Sequence, residues 1–266
     1  MMGDRTGRPH GDRAAADRAN FMRAKAARRS EYERQNVSRR VYVLIRTAIR
    51  KGYLARGESL EESRLMSDFA APGGAVRAAL GRLARDGLLR RSPGAGTHVE
   101  EFFVGVEVGR PQETTGVFEI ETLFSGLVPG APGIREQLCL PEDSPVRVAE
   151  YLLHTEGRPY CVETIYWAPT TAPRVPFVAA SGDDLPTAFR RHFGVALGDS
   201  TTAIDAVVGD AATTASLGVP AGTPLLLSEK LLTGADGVPR ELQYIHYPAG
   251  RTYFIASTDY ETEIRP

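Results

Sequence analysis

The 266-residue chain holds only two cysteines, Cys139 and Cys161. Two are too few for a disulfide framework, and no neighbouring ligand spacing suggests zinc. No apolar run approaches the roughly 18 residues that cross a bilayer. The amino terminus has charge but no apolar core, so no secretory signal is expected. Asp4, Asp12 and Asp17 also argue against an acid-poor transit peptide. Internal repeats are absent. These absences lead to the expectation of a cytoplasmic protein of one large or two ordinary domains, without metal or cofactor.

Net charge is nearly absent as well, at −1, but the balance conceals a division. Residues 1–100 contain 21 Lys and Arg against 11 Asp and Glu, a net of +10. Residues 101–266 contain 11 against 22, a net of −11. Such asymmetry suggests that the first part faces a polyanion, with nucleic acid the leading candidate, while the second does something else.

Residues 1–37 are rich in Arg and Ala and read as a mobile basic arm. From Ser38, a candidate N-cap, Val41, Leu44, Ile45, Ala48 and Ile49 recur at helical spacing up to Gly52. A second helix is predicted over Glu61–Ala70, burying Leu65, Met66 and Phe69. A third begins at Pro72, buries Val76, Leu80 and Leu83, and stops at Asp86-Gly87. Its start is odd, because Pro72-Gly73-Gly74 leaves bare backbone where a helix end usually presents side chains. Strands over Leu88–Arg91 and Thr97–Val99 flank a turn at Ser92-Pro93-Gly94-Ala95-Gly96. Three helices and a basic hairpin over 38–103 make a winged helix-turn-helix, followed by a Gly- and Pro-containing linker over 104–116.

From 117 to 266 the pattern is strand-rich. Val146–Leu153, Tyr160–Trp167, Ile204–Val208, Pro224–Leu232, Glu241–Tyr247 and Tyr253–Ser257 read as strands. Helical stretches fall near Ile134–Leu138, Leu185–His192 and Ala211–Leu217. The fold class is therefore α+β, with a largely antiparallel sheet in the second domain.

The stretches IRKGYLARGESLEESRLMSDFA, VRAALGRLARDGLLRR and GAGTHVE resemble the DNA-binding domain of the GntR family of bacterial regulators. In that family the position of Pro72-Gly73 usually carries Ser-Arg or Thr-Arg, the arginine reaching a guanine edge. This chain keeps the second arginine, Arg77, but not the first. The resemblance implies DNA contacts from Arg77 in the major groove. It implies others from the bare helix start at Pro72, Gly73 and Gly74, and from the wing at Arg90, Arg91, Gly94, Gly96, Thr97 and His98. Arg64 sits close to a family contact position, and a solvated surface arginine is an equal alternative there.

The stretches LCLPEDSPVRVAEYLLHTEGRPYCVETIYWAP and FGVALGDSTTAIDAVVGDAATTASLGVPAGTPLLLSEKLLTGADGVPRELQYIHYPAGRTYF resemble the UTRA domain of the HutC branch. This implies a chorismate-lyase-like fold that binds a small effector without catalysis. Relatives that sense sugar phosphates hold the phosphate with two arginines, at positions matching Tyr151 and Leu153 here. Neither residue can do so. A phosphorylated effector is therefore not expected, and a hydroxyl-rich or cationic one is. Glu163, Glu241 and Tyr247 match other pocket positions, and Asp184 falls near another. Glu241 and Tyr247 are six apart and so share a strand face. Read alone, Glu163 and Glu241 fit solvated strand residues better than pocket residues.

The expected function is a homodimeric, ligand-released repressor acting on a double-stranded DNA operator. One alternative is a constitutive DNA-binding protein whose second domain only dimerises. Another is a lyase-like enzyme using Glu163 as acid or base.

Overall fold

The structure is a computed structural model that describes residues 32–33, 35–92, 94, 96–100, 103–108, 118–171 and 184–256. The chain divides into two compact units, with the boundary between Phe102 and Phe103. Most of the expected basic arm (1–31), residues 109–116 of the expected linker, residue 117 and Ser257 lie outside the described residues.

The first unit contains three helices and a hairpin. Helix α1 runs over 35–50, so Ser38 is an interior residue of it rather than its cap. Its buried stripe is Val41, Ile45 and Ile49, at four-residue spacing, and Leu44 points to solvent instead. Helix α2 (Glu62–Asp68) buries Leu65. Met66, expected in the core, is exposed, and Phe69 is half-buried. A seven-residue helix has room for one inward turn, and Leu65 occupies it.

Helix α3 (Gly73–Arg85) buries Ala75, Val76, Ala79, Leu80 and Leu83. Strand β1 (Leu89–Ser92) pairs antiparallel with β2 (Gly96–Val99) in the register Arg90 to His98 and Arg91 to Thr97. Leu88 precedes the hairpin as a fully buried residue and is not part of the strand.

The second unit is built on a six-stranded antiparallel sheet ordered β4-β5-β6-β9-β8-β7. Its strands are β4 (Phe118–Pro129), β5 (Pro145–Thr155), β6 (Arg158–Trp167), β7 (Leu197–Val208), β8 (Pro224–Gly234) and β9 (Pro239–Pro248). A separate parallel ribbon pairs β3 (Val104–Glu107) with β10 (Thr252–Ile255). Residues 104–107, expected within the linker, thus belong to this ribbon.

One sheet face carries Ala149, Tyr151, Leu153, Cys161, Ile165, Trp167, Ile245 and Tyr247. It is covered by Val106 of β3 and by α5 (Leu185–Phe193), which contributes Ala188. The other face buries Leu152, Val162 and Leu225 against Leu217, which directly follows α6 (Ala211–Ser216). A short α4 (Pro132–Gln137) leads into the buried Leu138. Among the described residues, no helix is long and apolar enough to cross a membrane.

Strand β4 escaped the sequence reading, and β7 is longer than the predicted Ile204–Val208. Both are sheet edges whose residues are mostly exposed on both faces. They therefore lack the one-sided apolar alternation that marks a half-buried strand.

Candidate functional site

In the first unit, three elements converge on Glu62 at the start of α2. Arg77 of α3 brings Nη1 to 3.6 Å from Glu62 Oε2. Arg91 of β1 donates from Nη2 to Glu62 Oε1 at 3.2 Å. One carboxylate therefore holds an arginine from the third helix and one from the wing side by side. Both arginines keep substantial exposure, at 63% and 38%, so their guanidinium groups still face solvent.

Arg90 lies on the wing with Nε donating to Glu100 Oε2 at 2.9 Å. His98 is half-buried, its Nδ1 3.4 Å from the Gly57 carbonyl oxygen. Gly94 and Gly96 have φ of +80° and +82°, a left-handed conformation that glycine adopts without steric cost. Thr97 departs from its expected DNA role. It is buried, and its carbonyl accepts from the Leu60 N–H, so it anchors the base of the wing. Arg64 is exposed and lies 3.6 Å from Asp68 across one turn.

Helix α3 starts without a side-chain cap. Pro72 sits at the N-cap with extended backbone, and no side chain bonds the first N–H groups. A Cβ at Gly74 would meet nothing within 4 Å. Beside this start a cavity of about 630 Å³ opens between α1 and α3, lined by Arg39, Tyr42, Gly74, Ala78 and Arg82 among others. Arg82 stacks over the Tyr42 ring at 4.2 Å, and Tyr42 donates its hydroxyl to Asp86 at 2.6 Å. The small residues leave this helix face low, and arginines rim it.

In the second unit a cavity of about 330 Å³ lies on the face covered by α5 and the β3–β10 ribbon. Its polar lining comes from Glu107, Asp199, Ser200, Thr202, Ser228 and Lys230, with Tyr247 and Phe254 as aromatic walls. Of the six expected effector residues, Tyr247 alone lines it. Tyr151 and Leu153 are core residues of the same face. Asp184 is exposed and caps α5 by accepting from the Thr187 N–H at 2.8 Å. Hydrogen bonds from Thr187 hold its carboxyl below the usual carboxylate range.

Glu163 is half-buried, paired across the sheet with Tyr151 and Ile245. Burial pushes its carboxyl up to about 7, against the pull of Lys230. Glu241 is fully buried, which excludes a solvated strand residue. It accepts from Trp167 Nε1 at 2.7 Å and from the Gln243 side-chain amide. Burial pushes it up to about 8 although both hydrogen bonds favour the charged form. Glu241 is thus a support behind the cavity rather than part of its wall.

Lys230 was not singled out in the sequence, where Pro224–Leu232 reads only as a strand. The overlooked signal was parity. Leu226, Ser228, Lys230 and Leu232 share one strand face, opposite Tyr247, Ile245, Gln243 and Glu241. His246 has the opposite parity, so it faces away from the cavity. Its Nδ1 is buried without a hydrogen-bond partner, and burial lowers its pKa. Arg251 donates to the carbonyls of Pro159 and Leu217. Among the described residues no His, Cys, Asp and Glu group could hold a metal ion.

Comparison with known proteins places both units. A model of the UTRA domain matches residues 116–252, and one of the bacterial regulatory proteins of the gntR family matches residues 37–99. The chain belongs to the gntR family and carries a UTRA domain. It is a transcriptional regulator with a DNA-binding helix-turn-helix and an effector domain. Over 212 residues it is 29% identical to the HTH-type transcriptional regulator Rv0792c of Mycobacterium tuberculosis, covering 76% of this chain and 78% of that one. The fold is similar to PhnF from Mycobacterium smegmatis, with a TM-score of 0.56 at 22% identity over 83% of this chain and all of that one. It is also similar to YydK from Bacillus subtilis, with a TM-score of 0.51 at 18% identity over 84% and 99%. The matched family and the Mycobacterium tuberculosis relative are transcriptional regulators rather than enzymes, so the lyase alternative falls away. In this UTRA regulator, Glu163 belongs to an effector domain and has no catalytic assignment.

Proposed function

We propose that this protein is a cytoplasmic, homodimeric repressor that a small effector releases from its DNA operator. The observation that carries the reading is the presence, in one chain, of two separate sites. Exposed arginines gather around Glu62 on the winged helix, and a polar cavity lies on the sheet of the UTRA unit. Arg77 reads a base edge in the major groove, and Arg90, Arg91 and the Gly94–Gly96 tip contact phosphates. The open start of α3 at Pro72, Gly73 and Gly74 admits the DNA backbone closely. Thr97 supports the wing without touching DNA.

Dimerisation is supported by the exposed β4 edge, where Phe124 and Leu127 are 50% and 56% accessible. An apolar edge of this kind invites pairing with another chain. Two copies would place their winged helices about 10 base pairs apart. An effector without phosphate is supported by the cavity wall, where Lys230 is the only cation among the described lining residues and two carboxylates oppose it.

The test is fluorescence anisotropy with DNA from upstream of the protein's own gene beside a scrambled duplex, across a salt series. Specific regulation requires a preference of at least about 4 kcal/mol for the upstream fragment. Equal, steeply salt-sensitive binding to both duplexes would reduce the DNA role to phosphate contacts.

A further inference from the structure

Resting on that effector reading and deepening it, we infer that the UTRA cavity takes a small hydroxylated carboxylate whose carboxylate group is held by Lys230. The argument starts from a lysine placed on the inward face of β8. An ammonium in a partly desolvated wall is costly unless an anion answers it. Among the described residues no carboxylate answers it at ion-pair distance. Lys230 makes no hydrogen bond and no ion pair within 4 Å among those residues, while its side chain lines the cavity. The two carboxylates that attract it, Glu163 and Glu241, act from further off. Glu241 cannot swing across to it, because its two oxygens are engaged by Trp167 and Gln243.

The groups around Lys230 select among ligand chemistries. Thr202 lies directly across β7 from Lys230, and Ser200 and Ser228 belong to the neighbouring rows of the same face. These hydroxyls can donate to an anion and accept from ligand hydroxyls. Asp199 and Glu107 also line the cavity and accept from hydroxyl donors. A phosphate dianion would bring two negative charges to one ammonium with two carboxylates nearby. A cationic ligand would meet Lys230, and a neutral sugar would leave it unanswered. One negative charge and several hydroxyls satisfy the whole set. A volume of about 330 Å³ is at the small end of ligand pockets, which suits a sugar acid or a shorter hydroxy acid.

The full-length protein is tested by thermal shift and calorimetry with D-glucuronate, D-galactonate and D-glycerate. D-Glucose, D-glucose 6-phosphate and choline serve as the neutral, phosphorylated and cationic probes. At least one carboxylate is expected to raise Tm and weaken DNA binding, and the other classes are not. Lys230→Gln should weaken that carboxylate about tenfold or more, each Tm shift being read against the same variant without ligand. Lys230→Arg should retain part of the affinity.

A second readout needs only the unmodified protein. Carboxylate affinity should fall between pH 6 and 8.5 as Glu163 and Glu241, on the same sheet face as Lys230, ionise. Glu107, Asp199 and Tyr247 also face the cavity, while Leu185, Pro186 and Phe254 bring no charge.

Tight binding of a neutral, phosphorylated or cationic probe, unaffected by Lys230→Gln, overturns the inference and leaves the effector reading standing. The same holds if only an unfractionated metabolite extract acts, and acts equally on the variant. If neither probes nor extract alter Tm or DNA binding, the effector reading itself falls.

Discussion

Glu241 concentrates the electrostatics of the second unit in one side chain. Its carboxyl is held up to about 8 by burial, well above the range of an unfolded glutamate, about 4.3. The native state therefore binds more protons than the unfolded chain between those values. The resulting stability is complete below the lower value and lost as pH rises through the upper one. Glu163, pushed up to about 7, adds to the same trend. Stability should fall on the order of 4 kcal/mol between pH 6 and 8.5, readable by urea unfolding at each pH. The chain has a single tryptophan, Trp167, and it donates to Glu241, so its fluorescence should titrate in the same window. Glu241→Gln should keep the indole partner, flatten the fluorescence curve and leave the stability curve only the smaller fall from Glu163. A pH-dependent fluorescence that survives in Glu241→Gln would locate the titration elsewhere. On the DNA side, Arg77→Ala should cost about 1–3 kcal/mol on the operator if Arg77 reads a base. The loss on a scrambled duplex should be smaller. Equal losses on both would make Arg77 a phosphate contact.

Helix α3 shows at the level of an element what a sequence tells and what it withholds. Its existence, its buried stripe of Val76, Leu80 and Leu83, and its stop near Asp86 were legible, because thirteen residues provide three full turns of periodic signal. Short or exposed elements were not. Leu44 was assigned to the core by helical spacing, and Met66 as a buried residue of a predicted helix. Neither rule accounts for where a neighbouring element actually packs. The candidate site divides the same way. Of the effector residues the resemblance implied, Tyr247 lines the cavity, Glu163 and Glu241 are not among its lining residues, and Asp184 caps α5. Lys230 was hidden because only cross-strand register gives an inward lysine its meaning. The glycines at the start of α3 carry their own prediction. Gly74→Ala adds a methyl into open space and should stabilise the protein by about 0.5–1 kcal/mol. At Gly73 the added Cβ would sit 3.2 Å from Met66 Sδ, so Gly73→Ala should gain less. Thermal unfolding of both variants checks the order. If Gly74→Ala raises Tm while lowering DNA affinity, the bare backbone is a binding feature, since the free protein gives no reason to keep it.

At the scale of the molecule, a basic first part and an acidic second part divide the labour between polyanion and metabolite. Phosphate contacts release counterions, so the logarithm of DNA affinity should fall linearly with the logarithm of salt, by about 0.9 per contact. Arg90→Ala and Arg91→Ala should each reduce that slope by about one if they meet phosphates. Lys230→Gln should leave it unchanged, because Lys230 belongs to the sheet of the second unit. Repression by release adds a stricter requirement. An effector can loosen DNA only by binding the free protein better than the DNA-bound one, and the coupling must be reciprocal. A carboxylate that weakens operator binding by a factor of about 5–150 must itself bind the DNA-loaded dimer more weakly by the same factor. Calorimetric titration of that carboxylate into protein with and without saturating operator measures the second factor, and anisotropy measures the first. Equality of the two, with both abolished together by Lys230→Gln, ties the sensing cavity to the winged helix. An effector affinity indifferent to operator would leave a ligand-binding domain that stabilises the dimer without controlling it.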